Sequence, residues 1–312
     1  MSVTSPARYA YLGPEGTFTE AALLSLPESG GVEAVPYPSV PAALESVRRG
    51  ECAAAVVAME SSVEGAVTVT LDELAVGEPP LSIVREMLLP VSFALLVRPG
   101  TALEDVKTVA SHPVAEPQCR RWLAENVPRA RWEAASSIAD AARHVRDGQF
   151  DAALAGAFAA GRYGLTALAE PVHDVAGAQT RFVLVTRPGA LPARTGVDKT
   201  SVTVGLRDNH PGELMEILEE FALRGVNLCR IESRPTGRAM GRYYFFIDCE
   251  GHIGDERVGD ALMGLRRSST HVRFLGSYPR VDGQPPVLRR GTSDQEFDDA
   301  REWLAAVREG RA

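Results

Sequence analysis

From Arg8 to Arg187, short apolar runs alternate with stretches whose apolar residues recur at helical spacing. The runs Tyr9–Leu12, Val32–Pro36, Ala53–Ala58, Val91–Val97, Thr108–Ser111, Asp151–Ala155 and Phe182–Thr186 predict strands. Between them, Phe18–Leu26, Val40–Arg49, Val114–Glu125 and Ile138–Asp147 predict helices; Leu44 and Val47 share one face, as do Ala142 and Val145. Alternating strands and helices predict a parallel or mixed sheet covered by helices. Such sheets take ligands beyond the carboxyl ends of their strands, in loops that open helices.

The pattern changes after Arg187. The segment Arg187–Gly196 carries two prolines and two glycines without periodicity and reads as a linker, placed at 188–199. Beyond it come strand Ser201–Leu206, helix Pro211–Arg224, strands Val226–Arg234 and Arg242–Cys249, helix Asp255–Arg267 and strand Val272–Gly276. This order, βαββαβ, predicts a ferredoxin-like domain over 200–279. Pro211 suits a first helical position, and Gly225 suits a helix stop. A tail over 280–312 adds one helix, Thr292–Arg308, opened by Ser293 and Asp294. The first domain then spans 1–187.

Composition narrows the function. A chain of 312 residues with 45% hydrophobic content supports two ordinary domains. A net charge of −8 without a Lys/Arg run argues against a nucleic-acid or membrane partner. No run approaches the ~20 apolar residues of a spanning helix, and Met1–Leu12 lacks the layout of a signal peptide. Cys52, Cys119, Cys229 and Cys249 form no CxxC pair, as expected for a cytoplasmic protein. The six histidines form no HExxH, so no metal site is expected. Only Lys107 and Lys199 could serve Schiff-base chemistry, and no cofactor is expected.

Five clusters remain as candidate chemistry. Tyr11–Glu20 (YLGPEGTFTE) ends a strand, turns on two glycines and opens a helix at Thr17, a place that favours anions. Val56–Val67 holds Glu60, Ser61, Ser62 and Glu64 after a strand. Ser111–Cys119 (SHPVAEPQC) repeats the strand-to-helix step with Ser111, His112 and Gln118. Gln179–Phe182 (QTRF) places Arg181, a candidate carboxylate clamp, among apolar residues. In the second domain, Asn209–Leu214 (NHPGEL) and Ile231–Pro235 (IESRP) could together capture an amino acid: a helix start for its carboxylate, an acid for its ammonium. Taken singly, each cluster reads as readily as a capped turn or a solvated edge.

Taken in order, GPEGTFTEAA, the strand–Glu–Ser loop, SHPVAEPQC, TRF and ESRP closely resemble prephenate dehydratase of the two-domain, actinobacterial type, over Tyr9–Pro279. The resemblance implies a two-lobed, periplasmic-binding-protein-like α/β catalytic domain. One lobe would hold 1 to about 80 with the stretch near Thr180, the other about 85–165, and a phenylalanine-sensing ACT domain would follow. It implies loss of CO2 and water from prephenate to give phenylpyruvate in phenylalanine biosynthesis, without metal or cofactor. Thr180 would contact the leaving hydroxyl and Arg181 would help hold the anion. Thr17, Glu60, Ser61, Ser111, Gln118, Ser137 and Phe182 would line or support the cleft, with His112 in support. Asn209, Gly212, Glu213, Leu214, Glu232, Ser233, Arg234 and Pro235 would form the phenylalanine site. ACT domains pairing side by side would give a homodimer or homotetramer.

The chain also departs from the family pattern. Ala58-Met59-Glu60-Ser61 stands where Pro-Ile-Glu-Asn is usual, and Ser137-Ile138-Ala139 where Ser-Thr-Ala or Ser-Asn-Ala is common. Ala176-Gly177-Ala178-Gln179 lacks the Asn often found before TRF. A lost buried hydrogen bond costs roughly 1–3 kcal/mol. The departures therefore leave two rivals: a prephenate decarboxylase that does not aromatise the ring, and an inactive amino-acid sensor.

Overall fold

A computed structural model describes residues 6–207, 210–237 and 240–311. The chain opens with β1 (Ala7–Leu12), α1 (Phe18–Leu24), β2 (Val32–Tyr37), α2 (Val40–Arg48) and β3 (Ala54–Ser61), then β4 (Gly65–Ala66), α3 (Thr68–Val76) and β5 (Ser82–Pro90). It continues through β6 (Ala94–Val97), β7 (Thr108–Ser111), α4 (Glu116–Asn126), β8 (Arg131–Ala134), α5 (Ile138–Arg146), β9 (Ala152–Ala155), α6 (Phe158–Tyr163), β10 (Thr166–Ala169) and β11 (Gln179–Thr186). Two sheets result. The first has the order β2-β1-β3-β11-β5, with β4 paired to β3; the second has the order β10-β6-β9-β7-β8. The chain leaves the first sheet after β5 and returns to it at β11, which makes two lobes. β1 runs parallel to both β2 and β3, and β7 parallel to β8 and β9, while β6 is antiparallel to β9 and β10.

Local chemistry explains the helices. Ser39 accepts from the Ala42 amide at 3.2 Å and caps α2, which buries Val40, Ala43, Leu44 and Val47 on one face. Ser137 caps α5 through the Asp140 amide at 2.9 Å, and α5 buries Ala139, Ala142 and Val145 against the second sheet. β3 is buried along most of its length, as its unbroken apolar run requires of a central parallel strand.

The C-terminal part holds β12 (Asp198–Gly205), α7 (Glu213–Ala222), β13 (Leu228–Pro235), β14 (Tyr243–Glu250), α8 (Glu256–Ser268), β15 (His271–Pro279) and α9 (Asp294–Arg308). Its sheet has the order β13-β14-β12-β15, antiparallel throughout, with Val202, Val204, Ile217, Phe221, Ile247, Val258 and Leu265 in the core. Pro211 does not open α7. Gly212 is the cap, at φ 94, because the tight turn before the helix needs a left-handed residue. Ser293 and Glu296 close a reciprocal capping box on α9.

By contact density the chain divides into two units. One runs through Thr70 and includes Met87–Leu184; the other is Leu71–Glu86 with Val185 onward. The divisions fall inside α3, β5 and β11, so these elements belong partly to each unit.

Candidate active site and regulatory site

Between the two sheets of the first unit lies a cavity of about 650 Å³, a size suited to a small ligand. The turn after β1 supplies Gly13, Pro14 and Thr17, and α1 supplies Thr19; the end of β2 supplies Tyr37; α5 and the turn before it supply Ser136, Ser137, Ile138, Asp140 and Arg143; His112 follows β7. Thr17 is the N-cap of α1. Its hydroxyl donates to the Leu12 carbonyl at 3.0 Å and accepts from the Glu20 amide at 3.2 Å. Ser137 also lines the cavity, as the cap of α5. Burial pushes the Asp140 carboxyl up, but hydrogen bonds from Ser136 and Arg143 and the nearby His144 outweigh it and hold the group below the usual carboxylate range.

A second group gathers where β3 meets β11. The Ser62 amide donates to the Gln179 carbonyl at 2.8 Å, and the Gln179 amide donates to Ser62 Oγ at 2.9 Å. One step further along, Arg181 Nη1 donates to Glu60 Oε1 at 3.0 Å, so Thr180 comes level with Ser61. Arg181 is only 4% exposed, and the carboxylate it holds is the protein's own. Thr180 is half-buried, and its hydroxyl makes no hydrogen bond among the described residues. Phe182 is buried behind it. Ser61 Oγ accepts from the Val63 and Glu64 amides at 3.2 and 3.3 Å and so fixes the loop. That loop carries Glu64, whose Oε1 accepts from Gln118 Nε2 at 3.3 Å.

Ser111 stands apart from both groups. It is fully buried, and its hydroxyl donates to the Leu154 carbonyl at 2.7 Å, pinning β7 to β9. Its neighbour His112 is the residue that reaches the cavity.

In the second unit, the strand that leads to the first candidate regulatory segment and the strand that carries the second flank β14 near one end of the sheet. Gly205, the last residue of β12, and Arg234 of β13 both face Tyr244 of β14 in register. Glu213, in the first turn of α7, is 6% exposed and accepts from the Arg207 amide. Leu214 beside it is exposed. On β13, Ser233 and Pro235 are exposed and Glu232 and Arg234 half-buried. Arg234 is engaged: its Nε and Nη2 donate to the two oxygens of Asp72 at 3.0 and 2.7 Å. Asn209 lies outside the described residues.

The comparisons with known proteins follow the same division. The family model for prephenate dehydratase matches residues 9–190, and that for the ACT domain matches residues 200–267. The chain belongs to the prephenate dehydratase family. The prephenate dehydratase of Mycobacteroides abscessus is 52% identical, over 97% of this chain and 99% of its own. That of Mycobacterium tuberculosis is 48% identical, over 97% and 95%. The crystal structure of prephenate dehydratase from Arthrobacter aurescens in complex with L-Phe has a TM-score of 0.93 at 50% identity. It covers 97% of this chain and all of that one.

Membership of the prephenate dehydratase family accounts for the two-lobed fold and the appended ACT domain. Sequence reasoning missed several cavity residues: Thr19, Tyr37, Ser136, Asp140 and Arg143. The Ser136-Ser137 pair before an amphipathic run, with Asp140 and Arg143 one turn apart, was a usable signal for a polar helix start at the cavity. Among the described residues, no group of three or more His, Cys, Asp or Glu is placed to hold a metal ion, and no helix is long and apolar enough to cross a membrane.

Proposed function

We propose that this chain catalyses the decarboxylative dehydration of prephenate to phenylpyruvate, and that L-phenylalanine binding to its ACT domain regulates the reaction. The ring carboxylate leaves as CO2, and its bonding electrons move into the ring. The C4–O bond breaks, and the departing hydroxide takes a proton to become water. Aromaticity drives these steps, so the protein's work is to orient the substrate, exclude water and hydrogen-bond the leaving oxygen. Thr180 is assigned to the leaving oxygen. Arg181, held by Glu60, keeps Thr180 in place and adds positive potential. Thr17 and Ser137, as helix caps, shape the cavity wall, and His112 and Arg143 line it where the substrate's two carboxylates would be received.

The observation that carries this reading is the Thr180 hydroxyl, unspent beside a rigid Glu60–Arg181 pair, when the other candidate hydroxyls are committed to caps and turns. Product analysis on prephenate tests it. Phenylpyruvate absorbs as its enol in base, a non-aromatic product does not, and a sensor forms neither.

For assembly, β13 lies at the sheet edge with Cys229, Ile231 and Ser233 exposed, which supports side-by-side pairing of ACT domains into a homodimer or homotetramer. The domain limits 1–187 and 200–279 and a cytoplasmic location complete the reading.

A further inference from the structure

Arg234 belongs to the ESRP segment, yet its guanidinium is engaged with Asp72 of α3 rather than turned to a ligand. α3 is gripped again at its far end. Arg273 of β15 donates through Nη1 to the Gly77 carbonyl at 2.8 Å and the Leu74 carbonyl at 3.4 Å, and through Nη2 to Glu78. An arginine on the last carbonyls of a helix is also favoured by the helix dipole. Two strands of the regulatory sheet thus hold the C-terminal half of α3.

The first turn of α3 is tied elsewhere. Thr70 Oγ1 donates to the Ala58 carbonyl at 2.7 Å, and the Val67 amide just before the helix donates to the Met59 carbonyl at 3.0 Å. Ala58 and Met59 immediately precede Glu60 and Ser61 on β3, and Glu60 holds Arg181 beside Thr180. The division between the units falls after Thr70, within this one nine-residue helix. A short helix is rigid along its axis, so a displacement at Asp72 is delivered to Thr70.

We infer that Asp72 is a positioning residue for regulation: through its bidentate pair with Arg234 it makes α3 the rod that carries the state of the ACT domain to β3 and hence to Glu60, Arg181 and Thr180. This rests on the reading that the chain is a phenylalanine-regulated prephenate dehydratase. The pair is well built for the task. Asp72 is about half exposed, at 47%, and Arg234 is 24% exposed, so the link contributes little to folding stability. Its two parallel hydrogen bonds still fix direction and spacing. Lys199 and Glu86 make a buried companion pair at 2.8 Å, where Glu86 also accepts from the Val281 amide at 3.1 Å; that pair serves as a fixed anchor. Arg234 then acts through Asp72 and is not itself a ligand contact.

The test uses the full-length protein with prephenate as substrate and L-phenylalanine as effector. Asp72→Asn keeps the shape and removes the charge; Asp72→Glu restores it. For Asp72→Asn we expect basal turnover within about two-fold of the parent, L-phenylalanine binding by calorimetry within about three-fold, and the change in turnover at saturating L-phenylalanine reduced ~10-fold or lost, inside the usual range of coupling. Asp72→Glu recovers part of the response. An Asp72→Asn protein that responds to L-phenylalanine as the parent does overturns the inference, as does one that loses binding and response together. A parent that converts prephenate but does not respond to L-phenylalanine, or that does not convert prephenate, overturns the functional reading instead.

Discussion

Arg181 lies almost wholly buried on β11 and reaches across to Glu60 of β3 at 3.0 Å, while Glu60 keeps about a third of its side chain in water. The two partners are therefore not equivalent. Removing Glu60 takes a carboxylate away from a buried cation; removing Arg181 leaves a carboxylate that water can reach. Glu60→Ala is expected to destabilise the protein by about 2–3 kcal/mol and Arg181→Met by less, the pair being too exposed for the larger losses of fully buried pairs. Denaturant midpoints at neutral pH measure the difference. Equal losses would show that Glu60 is not the counter-charge that matters.

Thr180→Val removes a hydroxyl with little change of shape. If the group acts mainly on the leaving oxygen, kcat falls by ~100-fold with KM nearly unchanged, because the interaction is made in the transition state. Steady-state rates of phenylpyruvate formation provide the check. Full activity in Thr180→Val removes Thr180 from the chemistry.

Much of this was legible in the sequence because the patterns are local. The apolar run of β3, the serine caps of α2 and α5 and the capping box of α9 each sit within a few residues. What stayed hidden needed distant partners. β5 does not read as a strand because Arg85 and Glu86 interrupt its apolar run, and the buried Glu86 is met by Lys199 and the Val281 amide from far along the chain. α3 opens Thr-Val-Thr, a poor helix former, and is held by Arg234 and Arg273 from far along the chain. In the candidate site, Thr17 can be picked out from its turn, whereas Ser137 and Thr180 come only with the family resemblance. The burial of Ser111 against Leu154 and the engagement of Arg234 with Asp72 depend on contacts no spacing encodes.

The Asp140 carboxyl links the cavity to pH. Its pKa is held low in the folded protein, so its stabilising contribution is complete above the unfolded carboxylate range and is lost as pH falls through the depressed folded value. Asp140→Asn is therefore expected to be less stable than the parent at neutral pH, by about 1 kcal/mol, because the buried carboxylate's charged partner Arg143 is half exposed and its attraction is screened. The gap should close as the pH drops below the carboxylate range. Thermal melts across pH 3–7, roughly the window set by the ordinary Asp value, read the effect; a gap that widens in acid would contradict it.

If the amino-acid effector is held at the start of α7 as proposed, Glu213 sets how readily it binds. Its carboxylate is buried and accepts from the Arg207 amide, so the negative charge already occupies the region where the positive end of the helix dipole lies. A ligand carboxylate arriving there meets both repulsion and a donor that is spent. Glu213→Ala frees the Arg207 amide and removes the like charge, at a cost of about 1 kcal/mol in the lost cap-like hydrogen bond. The expected outcome is two-sided: a lower melting temperature without ligand, and L-phenylalanine bound ~5-fold more tightly by calorimetry, within the size of a single helix-terminus charge interaction. Glu232→Ala, which removes the candidate partner for the ligand's ammonium, is expected to abolish binding. A Glu213→Ala protein that melts lower but binds L-phenylalanine unchanged would show that Glu213 only fastens the loop after β12, and that the ligand's carboxylate is received elsewhere.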